Sequence, residues 1–328
     1  MNERQLTAFL HARSATVVMA LLAIISCIYA WQRGAVVPMT ADMGVGFLSA
    51  NLWISSKFAS ALMGVGLTIL SAILLVWINS IYNVLRSITS LVATMFIMMQ
   101  IGVPSLMGQF YGGTLMNLLM MVCVFLLFST FGNPDDSRRR IFLIFFLFAL
   151  GAFTERGYLF YLPVLLLGTI QMRVFSMRTF LAAALGALTP VWLLMGLGIV
   201  TPWNLRWPSG AISFSQIVSN PELAQSAAVV AFTIVIGFAF TLMNLMKILS
   251  YNSRVRAFNA FLTLLYIFSA IYALLDFNNF AFYVPLLNCA TAYQIGHFFT
   301  YRRHRRTYLP ILLLMACYAG FYIWAVTA

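Results

Sequence analysis

The sequence predicts an all-α, polytopic transmembrane helical bundle, a single domain over residues 1–328 with about eleven spans. Three observations predict it. The chain is 62% hydrophobic and 8% charged, where a soluble domain is about 45–50% apolar and about 25% charged. Its apolar runs are continuous, as in ILLVWINSIY and MVCVFLLFSTF, unlike the alternating ~10-residue segments of a membrane barrel. Backbone groups in hydrocarbon must pair within the segment, so such runs are helices. The third observation is that the basic residues sort to one side when the runs are made to alternate across a membrane.

In order, the apolar segments are 15–31, 59–79, 88–104, 112–131, 141–154, 157–172, 179–200, 226–247, 257–275, 279–299 and 308–327. The first lacks a small-x-small exit and runs into WQR, so it reads as a retained span, not a cleaved leader. The second follows the first outer loop, 32–58. The third lies between Arg86 and the next outer turn. After the fourth, NPDDSRRR at 133–140 is an Asn-Pro turn followed by acids that suit a helix start. The fifth and sixth form a hairpin with Glu155 and Arg156 at its tip. The seventh leads into a long fourth outer loop, 201–225. The eighth to eleventh are separated by Lys247–Arg256, by LLDFNNF, and by the basic run YRRHRR at 301–306.

With the N-terminus in the cytoplasm and the C-terminus outside, 15 of the 19 basic residues fall on the cytoplasmic side. Arg33, Lys57, Arg156 and Arg206 remain outside. The net charge of +12 is therefore loop bias, and no nucleic-acid partner is implied. YRRHRR suits anionic lipid. The first and fourth outer loops carry Trp53, Trp203 and Trp207 and read as interfacial helices or loops at headgroup depth. His11 and His297 read as lone interfacial histidines. The four cysteines lie in apolar runs without CxxC spacing, and no metal set or cofactor motif is present. Asn83, Gln100, Asn117, Asn244, Asn288 and Gln294 lie inside spans, where they can hydrogen-bond between helices.

The fifth and sixth segments are short. Arg140 and Arg173 enclose 32 residues, about 48 Å of helix at 1.5 Å per residue, against about 60 Å for two crossings of the hydrocarbon core. Either the Glu155–Arg156 tip sits in a recess below the outer surface, or it is a tight hairpin end at the headgroups. A submerged charge needs a partner or water. Asp42, in PMTADMG, is a candidate base or ligand and equally a turn residue. Arg206, between Trp203 and Trp207, suits phosphate or lipid headgroups. Asp276 occupies a short turn, and Asn288, in PLLNCATAY, is the deepest of the polar span residues.

Through ERGYLFYLPVLLLGTIQMRVFSMRTFLAAALGALTPVWLL, the chain resembles an uncharacterised family of bacterial multi-span inner-membrane proteins. That family lends a location, the bacterial inner membrane, and no activity. The overall plan also resembles the C-class integral-membrane glycosyltransferases, which use polyprenyl-phosphate-linked donors. That resemblance rests on the cytoplasmic N-terminus, the long first outer loop bearing an acid and interfacial helices, and the many-span bundle. It covers topology and no specific motif; the loop has Asp42 alone where many of those enzymes have a paired acid. It implies Asp42 as a catalytic group, with Glu155 supporting it and Arg156 at another outward polar spot; Arg206, Asp276 and Asn288 are candidate substrate-binding residues from their own positions. It also implies no cofactor, and membrane lipids with a polyprenyl-phosphate-linked sugar as partners. The alternatives are a transporter or lipid flippase, for which polar residues continue through the bilayer, and a non-catalytic subunit of an envelope complex.

Overall fold

The structure, a computed structural model, describes residues 9–33, 44–85, 89–205, 219–247, 251–301 and 308–327. Among them every regular element is helical. The longer helices are α1 (Arg13–Arg33), α2 (Lys57–Tyr82) and α3 (Leu91–Ile101), then, after the one-turn α4 (Pro104–Met107), α5 (Gly112–Phe128), α6 (Pro134–Ala152) and α7 (Gly157–Gln171). They continue with α8 (Met177–Gly196), α9 (Pro221–Leu245), α10 (Ser253–Leu275), α11 (Phe280–Tyr301) and α12 (Tyr308–Thr327). Each predicted apolar segment coincides with one of them.

Six helices, α1, α2, α8, α9, α10 and α12, are long and apolar enough to cross a membrane. α3, α5 and α7 are apolar but shorter. The third segment departs most from expectation. Pro104 cannot donate to the preceding turn and restricts Val103, whose φ of −125° and ψ of 77° break the helix. α3 is thus 11 residues, about 16 Å, and is buried along its whole length.

Local chemistry sets the ends. Ser56 and Ser176 accept hydrogen bonds from the Ala59 and Thr179 amides and cap α2 and α8. Asn220 caps α9 through the Glu222 and Leu223 amides, with Pro221 in the first turn. Asn83 closes α2 with a left-handed φ of 49°. It is therefore a helix stop, not the inter-helix hydrogen-bonding residue its place in the sequence suggested.

Inter-helix contacts sort the connections into two ends. At one, His11 meets Thr89, Arg140 meets Ser129, Gly132 meets Met172, and Arg254 stacks over Tyr82. At the other, residues 45–47 meet Phe153, Asn51 meets Gly112, Ser60 meets Phe110, and Gln225 meets Gly102 and Phe321. The axis of the bundle is α11, buried from Phe280 to Phe299 and packed by α3, α5, α9 and α10. Gly186 lets α8 lie close against the backbone of α6, where an added Cβ would lie 2.4 Å from the Phe142 carbonyl.

In the connections 44–56 and 197–205 the described residues form the short turns Ala50–Leu52 and Pro202–Asn204. Trp53 is half exposed and Trp203 is 92% exposed. Trp207 and the run 302–306 lie outside the described residues.

Candidate functional site

The α6–α7 turn positions Glu155 and Arg156. α6 ends as the Phe153, Thr154 and Glu155 amides donate back into its last turn. α7 restarts two residues later, at Gly157. A side chain there would sit 2.3 Å from the Phe282 ring, so glycine lets α7 begin against α11.

The segment between α1 and α2 folds onto this apex. The Phe153 carbonyl accepts from the Val45, Gly46 and Phe47 amides at 3.2, 3.0 and 2.9 Å. That docking brings Ser49 over the turn, where its hydroxyl donates to Glu155 Oε1. Asn51 Oδ1 accepts from the Gly112 amide at 2.9 Å, tying the same loop to α5. Gly112 is required by proximity, since a Cβ would lie 2.9 Å from Glu155 Cγ.

Arg156 turns to the other side. Its Nη2 donates to Asp276 Oδ1 at 2.5 Å, an ion pair between the start of α7 and the end of α10. Tyr283 of α11 donates to Asp276 Oδ2 at 2.9 Å. Beneath them, Tyr161 and Ser269 share a hydrogen bond of 2.9 Å. Glu155 is 1% exposed and Arg156 8%. The apex therefore lies inside protein, not in bulk water. The cluster holds one guanidinium and two carboxylates, with the guanidinium paired to Asp276. Charges this dry survive only when paired and hydrogen-bonded.

Comparison with protein-family models, with curated proteins and with solved structures returned nothing. The chemistry of the apex stands on its geometry alone.

Of the sequence-predicted residues, Glu155, Arg156 and Asp276 come together. Asn288 does not join them. It lies five residues beyond Tyr283, about 7.5 Å further along α11, buried, its Nδ2 without a hydrogen-bond partner among the described residues. Asp42 and Arg206 lie outside the described residues. His297 is buried at 5% exposure against the Tyr251 ring. His11 is half-buried, bonds Thr89 at 2.8 Å, and has its pKa lowered from 6.5 by desolvation.

Sequence reasoning missed Ser49, Asn51 and Tyr283. Only Gly112–Gly113 carried a signal, since paired glycines at a helix start mark close approach. Among the described residues no group of three His, Cys, Asp or Glu side chains is placed to hold a metal ion.

A final feature is apolar. Leu185, Leu188, Trp192 and Met195 line a groove on α8. Four residues past that helix, Val200 packs beside Gly46 and Phe153, at the docked loop.

Proposed function

We propose that the chain is a multi-pass inner-membrane protein that performs glycosyl or related group transfer on a polyprenyl-phosphate-linked substrate at the outer face. The observation that carries the reading is the buried apex roofed by residues 45–51, where Glu155 accepts from Ser49 and the neighbouring Arg156 is paired with Asp276. Such transfer needs a base near the acceptor and a cation at the phosphate. Glu155 takes the acceptor proton, and Ser49 holds its carboxylate in place. Arg156 holds the phosphate, with Asp276 as the counter-ion that the phosphate displaces. Asp42 and Arg206 take the catalytic and phosphate-binding roles that their loop positions imply. The groove on α8 receives the prenyl tail.

The topology belongs to the same proposal: eleven crossings, N-terminus cytoplasmic, C-terminus outside. The end of the bundle with His11 carries Arg13, Arg138–Arg140, Arg173, Arg178, Lys247, Arg254 and Arg256, and the apex end carries Arg33, Lys57 and Arg156. A C-terminal alkaline phosphatase fusion is expected to be active.

The test of activity uses the full chain in nanodiscs with a polyprenyl-phosphate-hexose donor. Release of polyprenyl phosphate is expected, lost in Glu155→Gln with donor binding retained, and lost together with binding in Arg156→Gln. Absence of donor binding by the wild-type protein, or wild-type turnover in Glu155→Gln, overturns the reading.

A further inference from the structure

Helices α9, α10 and α11 meet along one seam, and the seam is polar through the bundle. α9 presents Gly237, Thr241 and Asn244, spaced i, i+4, i+7 on one helix face. α10 presents Asn259, Thr263 and Tyr266 in the same spacing. α11 contributes Thr291, Gln294 and His297.

The contacts between them are direct. Asn244 donates to Gln294 Oε1 at 2.9 Å, and Gln294 donates to Thr263 at 3.1 Å. A Cβ on Gly237 would touch both the Tyr266 ring and Thr291 Oγ1, so these three side by side close the next layer. One turn on from Tyr266, Ser269 bonds Tyr161, whose ring lies 6.4 Å from that of Tyr283. Tyr283 ends the series on Asp276. From Asn259 to Asp276 is 17 residues of α10, about 26 Å, most of a hydrocarbon core.

Five buried polar atoms on these faces have no hydrogen-bond partner among the described residues: Thr241 Oγ1, Asn244 Oδ1, Asn259 Nδ2, Thr291 Oγ1 and His297 Nε2. They mix donors and acceptors and recur at each layer from His297 to Thr291. A dry buried polar atom is costly, and water bonded to several such atoms removes the cost.

We propose that this seam is hydrated and conducts protons between His297 at one end and Asp276 at the other. The imidazole accepts a proton at one nitrogen. The proton passes by exchange of O–H bonds along water and the threonine, serine and tyrosine hydroxyls. It leaves from the Asp276 carboxylate. No electron moves and no other reactant is consumed. The titratable and charged groups facing the two ends are Tyr251 at His297, with Lys247 over the neighbouring Phe298 ring, and Arg156 and Tyr283 at Asp276. Between them lie Tyr161, bonded to Ser269, and the ring of Tyr266, whose hydroxyl donates to the Ile234 carbonyl. The inference does not rest on the group-transfer reading, because a proton route works with or without a lipid substrate.

The test is proton flux into liposomes. The full chain is reconstituted with internal pyranine, and a potassium gradient with valinomycin drives protons inward. Acidification well above that of protein-free liposomes is expected. Thr241→Val and Thr291→Val keep side-chain shape but remove hydroxyls, and each is expected to slow the flux at least tenfold. Thr291→Ser, which keeps the hydroxyl, is expected to retain most of it. Wild-type liposomes that acidify no faster than empty ones overturn the proposal. So does wild-type flux in both valine variants.

Discussion

The Arg156–Asp276 ion pair is the interaction on which the apex geometry depends most, and a double-mutant cycle measures it. The side chains are 9% and 13% exposed, so solvent screens them little. Arg156→Met leaves the Asp276 carboxylate buried with only the Tyr283 hydroxyl bonded to it. Breaking a buried pair from one side costs about 3–5 kcal/mol. With one hydrogen bond retained, the lower figure of about 3 kcal/mol applies, roughly a hundredfold in the folding equilibrium. Asp276→Leu removes the carboxylate and its two bonds. In the double variant the uncompensated carboxylate is gone, so the two losses are expected to fall short of additivity by about 1.5 kcal/mol or more. Unfolding in mixed micelles by titration with a denaturing detergent gives all four free energies. Arg156→Lys is expected to recover part of the loss, since an ammonium restores charge but not the planar fork. Losses that add to within about 0.5 kcal/mol would refute the view that these groups stabilise the apex as a pair.

Three further outcomes follow from the same physics. Gly186→Ala is expected to destabilise by about 1–3 kcal/mol, because its Cβ meets the backbone carbonyl of Phe142, which cannot turn aside; Gly66→Ala, with nothing within 4 Å, is expected to leave thermal melting unchanged or raised. Gly112→Ala is expected to destabilise by pressing on Glu155 Cγ, and adding Glu155→Ala is expected to restore part of the loss, read from the same melts. His11 has a folded-state pKa below its unfolded value of 6.5, so the unfolded chain binds more protons as pH falls. The stability it contributes is present above about pH 6.5 and is lost on acidification below that. His11→Gln is expected to flatten this part of the profile in melts between pH 5 and 8.

The helices were legible because their physics is local. A run of apolar residues has one way to satisfy its backbone in hydrocarbon, and the charges that end each run show where it stops. Pro104 was equally visible, but whether a proline ends a helix or kinks it depends on what packs around it. Asn83 was misjudged for the opposite reason. Its left-handed cap is set by one backbone angle, and composition cannot distinguish that from a hydrogen bond between helices.

The candidate site was legible in part. Glu155 and Arg156 stood out because charge is rare in this chain, and the shortness of their hairpin left two readings, a recessed apex or a tight end at the headgroups. Asp276 looked like ordinary turn chemistry, and nothing near it in the sequence indicated that Arg156, 120 residues away, would reach it. Ser49 and Tyr283 were silent for the same reason.

By itself the sequence determined a membrane-embedded, all-helical chain, the positions of its helices, and which of its few charges lie together at a helix turn. Those properties follow from hydrophobicity and backbone pairing, which neighbouring residues decide. Tertiary structure alone decided that α11 lies at the centre, that residues 45–51 roof the α6–α7 apex, and that polar residues on three helices face one another. Between helices in lipid no hydrophobic gradient selects partners. Shape, close glycine contacts and long-range hydrogen bonds select them, and these exist only once the bundle has formed.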